Sequence, residues 1–285
     1  MFLVSGATGN VGSEVVRALT GSGEQVRALT RAAGSAAGLP PGAEPAVGDL
    51  NRPESLADAL SGVRGVFLLA GYADMPGLLR AVRDAGVERV VLLSSGSVAG
   101  GDVANAVVRY NVVSEAAVHD SGVSAAILRP SGFHSNALRW LPQLNEGDVI
   151  RESFADVPVA YIDPADIGAV AALALTRPAG DQATVVTTYR LTGPAPILAD
   201  ERVRVLSRVL GRGLTLVPLS NAQAREEMGQ AMPPQYVDAF FSFFVDGTYD
   251  DSRVDPAVQQ LLGRPPRTFA QWAEAHADEF RAAEG

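Results

Sequence analysis

Seven residues near the start of the chain, Gly6-Ala7-Thr8-Gly9-Asn10-Val11-Gly12, carry its strongest chemical signal. They follow the apolar run Phe2-Leu3-Val4 and lead into an apolar-periodic stretch over residues 11–19, so they read as a strand, a tight turn and a helix. Gly6 permits the turn, Gly9 lets the backbone come up to a pyrophosphate, and Gly12 lets the helix pack closely on the strand. The first N–H groups of the helix, with its positive dipole end, then face phosphate, which is the chemistry of a dinucleotide site. The second strand ends at Leu29-Thr30-Arg31 without a carboxylate to hold a ribose 2′-hydroxyl. A hydroxyl and a guanidinium at that turn suit a 2′-phosphate, so NADP(H) is expected in preference to NAD(H). Asp49-Leu50, after the third apolar run, is placed to meet the adenine and also to cap the helix that Pro53 opens.

The elements that must position these groups follow from periodicity. Residues 26–29 form the second strand-like run, and the apolar runs at 65–70 and 89–93 are continuous, as strands buried on both faces should be. Between them, residues 53–60, 75–85 and 104–120 are helical in period, and 124–128 reads as a further strand. This alternation predicts βαβ units and a Rossmann-type, doubly wound parallel sheet in an α/β fold. Beyond Pro130 the rhythm changes to a loop-rich stretch, a strand at 158–162, a helix at 164–175 and a strand at 185–191. A helix at 199–210, a strand at 214–217, an aromatic helix at 234–245 and one last helix at 268–281 complete the reading. The expected organisation is an NADP(H)-binding core over 1–130 and a small α/β substrate lobe over 131–285, interleaved as one compact structure.

Composition narrows the classes. The 285 residues are 47% hydrophobic, enough for a large core, and carry a net charge of -9, which disfavours a nucleic-acid binder. No apolar run reaches the roughly 18 residues of a membrane span, so a cytoplasmic protein is expected. There are no cysteines, and His119, His134 and His276 are scattered, so no metal site is expected.

The GATGNVG motif, Thr30-Arg31 and Gly48-Asp49-Leu50 resemble the atypical short-chain dehydrogenase/reductase superfamily. Ser114 to Val118, Ser121-Gly122-Val123, Leu128-Arg129-Pro130, Phe133 to Asn136 and Leu191-Thr192-Gly193-Pro194 extend the likeness over nearly the whole chain. Within it the chain is similar to the NmrA-like branch, with its quinone-oxidoreductase-like and triphenylmethane-reductase-like members. The resemblance implies a substrate cleft between an NADP(H)-binding domain and a C-terminal lobe. It also implies that Thr8, Asn10 and Val11 lie along the pyrophosphate, that Leu69, Ala70 and Gly71 cover the ribose, and that Ser94 and Ser95 lie near the nicotinamide.

Short-chain reductases usually add a Tyr-x-x-x-Lys pair on the next helix, whose lysine lowers the pKa of the tyrosine that donates the proton. Ser95 suits the serine of that set and Tyr110 stands on the helix, but Ser114 follows four residues on and residues 96–120 contain no lysine. A phenol at its ordinary pKa of about 10 is a poor acid at neutral pH. Hydride transfer to a quinone, enone or other conjugated aromatic needs mainly geometry, a dry stacking pocket and a proton from water. Phe133, His134, Asn136, Trp140, Phe154 and the Phe240, Phe241, Phe243, Phe244 cluster are the expected lining, with His134 a candidate proton donor. The expected partner is a small hydrophobic or aromatic molecule, and the chain a monomer or homodimer. Two other readings stand: a non-catalytic NADP(H) redox sensor of the NmrA type, and a cofactor-independent isomerase or cyclase.

Overall fold

The computed structural model describes residues 1–31, 38–177 and 185–281. The chain begins with β1 (Phe2–Val4), α1 (Gly12–Gly21), β2 (Val26–Thr30) and β3 (Ala43–Val47). A 3-10 turn leads to α2 (Ala57–Leu60), then β4 (Gly65–Leu69), α3 (Met75–Asp84), β5 (Arg89–Leu93), α4 (Ala106–Asp120) and β6 (Ser124–Pro130). Next come α5 (Leu141–Glu146), β7 (Val149–Glu152), α6 (Pro164–Thr176) and β8 (Val186–Leu191). The remainder holds α7 (Ala199–Leu210), β9 (Thr215–Pro218), α8 (Asn221–Ala231), α9 (Pro234–Phe244), α10 (Ala257–Leu262), α11 (Phe269–Ala275) and α12 (Ala277–Arg281).

Two compact units emerge. Unit 1 comprises Met1–Val98, Arg109–Pro130 and Pro164–Leu191, and unit 2 comprises Ala99–Val108, Ser131–Asp163 and Thr192–Gly285. Unit 1 is a seven-stranded sheet in the order β3-β2-β1-β4-β5-β6-β8, parallel throughout. Side chains alternate across it. Leu3, Val66, Leu68, Val90 and Leu92 share one core with Leu78, Leu79 and Val82 of α3. Their neighbours Phe2, Val4, Phe67 and Val91 point to the other face and are equally buried, so this sheet is covered on both sides. There α6 lies against α1 so closely that a Cβ on Gly168 would stand 2.6 Å from the Glu14 backbone. The doubly wound α/β reading holds.

Unit 2 has its own core, in which Trp140, Leu144, Ile150, Val203, Leu206, Phe269, Trp272 and Phe280 are buried together. It carries the parallel pair β7–β9. The strand expected at 158–162 is not there. Pro158 has no N–H to give, and the next groups pair one at a time with different segments. Val159 N–H donates to Ile197, Ala160 N–H to Asp251 and Ile162 N–H to Gly132, leaving only isolated bridges. The single last helix is also two. His276 leaves helical geometry (φ -113°, ψ 13°) and its Nδ1 lies 2.8 Å from the Trp272 carbonyl, which separates α11 from α12. The stretch read as loop after Pro130 contains a 3-10 turn (His134–Trp140), α5 and β7.

Candidate functional site

In unit 1 the strand order runs one way from β1 through β2 to β3 and the other way from β4 through β8, so β1 and β4 flank the switch point. Open α/β sheets bind ligands outside the carboxyl ends of the strands at that point. The loop leaving β1 is built for it. Gly6 has φ +61° and its carbonyl accepts from the Gly9 N–H at 2.9 Å, closing the turn. Gly12 lies so close beneath that a Cβ there would stand 2.1 Å from the Gly6 oxygen. A Cβ on Gly9 would meet only that oxygen, at 3.3 Å, with open space beyond. Thr8, Gly9 and Asn10 are exposed, whereas Val11 is buried and cannot cap α1 with its side chain. By contrast, α3 is capped by Asp74, which accepts from the Gly77 N–H. The start of α1 therefore keeps donors and dipole for an anion.

At the end of β2, Arg31 is exposed, while the Thr30 hydroxyl, buried, donates to the Ala46 carbonyl at 3.3 Å. Asp49 accepts from the Asn51 N–H at 3.0 Å and from Arg52 Nε at 3.3 Å. The Asn51 N–H foremost, then Arg52 and the field of Arg31, hold its carboxyl below the ordinary range. Arg52 is thus a second guanidinium beside this turn, signalled in the sequence only by its i,i+3 spacing from Asp49. Leu50 belongs to the core.

Beyond β4, Leu69 packs over Gly6, its Cδ1 3.0 Å from where a Cβ would stand. Ala70 and Gly71 follow, and the Gly71 N–H donates to the Ser114 hydroxyl at 3.0 Å. Ser114 in turn donates to the Tyr110 carbonyl at 2.7 Å, and the Tyr110 ring lies against Gly71. At the end of β5, Ser94 is turned inward and donates to Glu115 at 2.5 Å. Arg129 of β6 grips the same carboxylate with Nε at 2.9 Å and Nη2 at 2.5 Å, and Glu115 pushes its pKa up. Ser95 closes a turn, its hydroxyl accepting from the Ser97 N–H at 3.2 Å. All 23 basic residues of the chain are arginine, so no lysine exists to activate Tyr110 or any other tyrosine.

In unit 2 the expected lining divides. Phe240 and Phe244, a turn apart on α9, are half-buried and stacked with centroids 6.2 Å apart. Phe154 meets Phe241 at 5.1 Å and Phe244 at 5.3 Å, and does so from φ +53°, a conformation costly for a bulky side chain. Phe241 and Phe243 are buried, so the four phenylalanines do wrap more than one face. Phe133 and Asn136 are half-buried. Trp140 and His134 take other duties. Trp140 is fully buried, donates to Glu152 at 2.5 Å and stacks against Arg202, whose guanidinium also lies 4.1 Å from the Tyr161 ring. His134 is 2% exposed, and burial pushes its pKa down to about 3. Its Nε2 lies 3.3 Å from the Arg267 carbonyl, which only an N–H can satisfy, so the ring is a neutral structural donor and not the expected acid.

Among the described residues no helix is long and apolar enough to cross a membrane, and no cluster of His, Asp and Glu could hold a metal ion. Comparison with protein families matches residues 6–178 to the NAD(P)H-binding family. Over 98% of this chain and 99% of its own length, the (4-alkanoyl-5-oxo-2,5-dihydrofuran-3-yl)methyl phosphate reductase of Streptomyces griseus is 37% identical. The NAD(P)H azoreductase of Xenophilus azovorans is 34% identical over 99% of this chain and 100% of its own length. Among solved structures, the triphenylmethane reductase of Citrobacter sp. in complex with NADP(H) superposes with a TM-score of 0.78 at 22% identity. That match covers 97% of this chain and 100% of the other. The chain belongs to the NAD(P)H-binding family, among the NAD(P)H-dependent reductases that these full-length relatives represent.

Proposed function

We propose that this protein transfers a hydride from NADPH to a small conjugated acceptor, a quinone, an enone or another conjugated aromatic molecule. The observation that carries the reading is the start of α1, which keeps its N–H groups free of a side-chain cap behind the Gly6–Gly9 turn at the switch point. The residues fit a dinucleotide: Gly9, Thr8 and Asn10 lie open for a pyrophosphate, and Arg31 with Arg52 offers two guanidinium groups to a 2′-phosphate. Bound there, the cofactor supplies the hydride. Unit 1 carries that cofactor.

The chain's own contribution is positioning. Phe154, Phe240 and Phe244 present ring faces and edges to a flat, conjugated molecule and keep water from it. Without a lysine, no tyrosine has the partner that usually makes it an acid, and the proton that completes the reduction comes from water. Conjugated acceptors tolerate this because hydride addition to them needs no strong acid at the reacting oxygen or nitrogen. The two relatives point the same way, since one is named for a dihydrofuranone phosphate and the other for an azo group.

The test is NADPH oxidation by the purified protein against quinones, enones, azo dyes and simple aldehydes. Turnover with conjugated acceptors and little with the aldehydes is expected. Turnover confined to aldehydes, or NADPH binding without oxidation by any acceptor, overturns the proposal.

A further inference from the structure

We propose that Ser114 is a cofactor-positioning residue. It stands where a Tyr-x-x-x-Lys pair would place its lysine, and it uses that place to hold the backbone on the β4 side of the dinucleotide crevice. The inference rests on unit 1 being the NAD(P)H site.

The geometry is local and closed. β4 pairs with β1 in register, Phe67 opposite Val4, so the chain leaving β4 runs beside the Gly6–Gly9 turn. Leu69 covers Gly6, and two residues later Gly71 takes φ +98°, which only glycine adopts without strain. That conformation directs the Gly71 N–H toward α4, where the Ser114 hydroxyl accepts it at 3.0 Å. Ser114 is 1% exposed, and its own proton is committed to the Tyr110 carbonyl at 2.7 Å, which fixes the lone pair that Gly71 meets. The Tyr110 ring closes the other side, 3.3 Å from where a Cβ on Gly71 would stand. The turn is therefore specified by three neighbours at once: a glycine conformation, an aromatic face and a hydroxyl.

The next residue does similar work. Glu115 draws together Ser94 at the end of β5 and Arg129 at the end of β6. One turn of α4 thus secures the ends of β4, β5 and β6, all on the edge of the sheet where a dinucleotide lies. In a Tyr–Lys reductase this turn supplies a cation to the chemistry; here it supplies a brace. A lysine at 114 would remove the acceptor that Gly71 uses.

Three variants test the brace by calorimetric titration with NADPH and by steady-state kinetics. Ser114→Ala removes both hydrogen bonds of the hydroxyl, of which the one from Gly71 braces the crevice, so NADPH affinity is expected to fall about three- to tenfold. The KM for NADPH rises in step, while kcat at saturating NADPH stays within about twofold. Ser114→Thr, which keeps the hydroxyl, recovers most of the affinity. Val113→Ala, an exposed neighbour on the same turn, binds as the wild type does. Wild-type NADPH affinity in Ser114→Ala, or a fall in kcat with an unchanged KM for NADPH, overturns the proposal. Should Ser114→Ala fail to fold, Gly71→Ala carries the same expectation, and wild-type affinity there overturns it equally. Gly9→Val, measured alongside, separates the two levels: if it binds NADPH normally, the cofactor site itself is misplaced; if it alone loses binding, only the brace fails.

Discussion

Gly9 and Gly12 lie three residues apart in one motif, yet they fail in different ways when a side chain is added. A Cβ on Gly12 would stand 2.1 Å from the Gly6 oxygen, 2.5 Å from the Gly6 carbonyl carbon and 2.9 Å from the Ser5 oxygen. All three are backbone atoms, so no side chain can swing away. The start of α1 and the turn must separate by roughly 1 Å, against a closing hydrogen bond and a packed sheet. Overpacking of side chains alone costs about 1–3 kcal/mol, and a backbone clash lies at or above the top of that range. Against an unfolding entropy of roughly 0.6 kcal/mol/K for 285 residues, this corresponds for Gly12→Ala to a loss of about 5 °C or more in Tm. A Cβ on Gly9 meets one atom at 3.3 Å, and Gly9 has no positive φ to strain, so the fold should lose less than about 1 kcal/mol. The open space it fills is where the proposed function puts the pyrophosphate. Gly9→Val is therefore expected to melt within about 2 °C of the wild type with NADPH binding abolished, and Gly12→Ala about 5 °C or more below it. Differential scanning calorimetry with NADPH titration reads both. A Gly12→Ala protein as stable as the wild type, or a Gly9→Val protein of wild-type affinity, refutes the reasoning.

Three further outcomes follow from single residues. His134 takes its proton near pH 3 when folded and near 6.5 when unfolded, so the unfolded chain binds more protons between those values. Stability is full above about pH 6.5 and falls as pH drops, by about 2 kcal/mol at pH 5. Both tryptophans are buried in unit 2, so urea unfolding followed by their fluorescence should show this slope, and His134→Gln should flatten it. Arg31→Ala should erase about tenfold or more of a preference for NADPH over NADH, and equal affinity of the wild type for both refutes the 2′-phosphate assignment. Tyr110→Phe keeps the ring against Gly71 and should change turnover by less than about tenfold, whereas loss of a true general acid typically costs 10²–10⁴-fold. A kcat collapse of several hundredfold in the folded variant contradicts the proton's coming from water.

What was legible in the chain, and what was not, follows the range of the forces involved. The inner strands of the sheet are readable because strands buried on both faces leave unbroken apolar runs such as Val90-Val91-Leu92-Leu93, whereas the half-exposed edge strands β3 and β8 carry no such run. The glycine motif was readable because steric demands act between near neighbours. Unit 2 was harder. Its segment at 158–162 looks like a strand by composition, but its hydrogen bonds go to Ile197, Asp251 and Gly132, partners that local pattern cannot announce. The missed helix α8 buries only Ala224 and so has little apolar period, although the Ser220 and Gln223 capping box was there to be read. In sequence Trp140 and His134 read as site residues because aromatic and titratable types are common in pockets. Their partners, Glu152 and the Arg267 carbonyl, lie far enough along the chain that only the fold reveals them as core. Ser114 shows the converse: in sequence it reads as a lysine that is missing, and in the structure as a hydroxyl with two partners.

The central claim is hydride transfer from NADPH to a conjugated acceptor, and isotope transfer tests it most directly. NADPH carrying deuterium at both C4 positions of the nicotinamide would be turned over with a quinone and with an enone, and the products analysed by mass spectrometry and NMR. For the enone, one deuterium on carbon per product molecule is expected, with the second new hydrogen drawn from solvent. For the quinone, deuteride can be lost on re-aromatisation, so stoichiometric NADPH loss with quinol formation is the expected reading. Unlabelled enone product, or no NADPH consumed with either acceptor, would contradict the account.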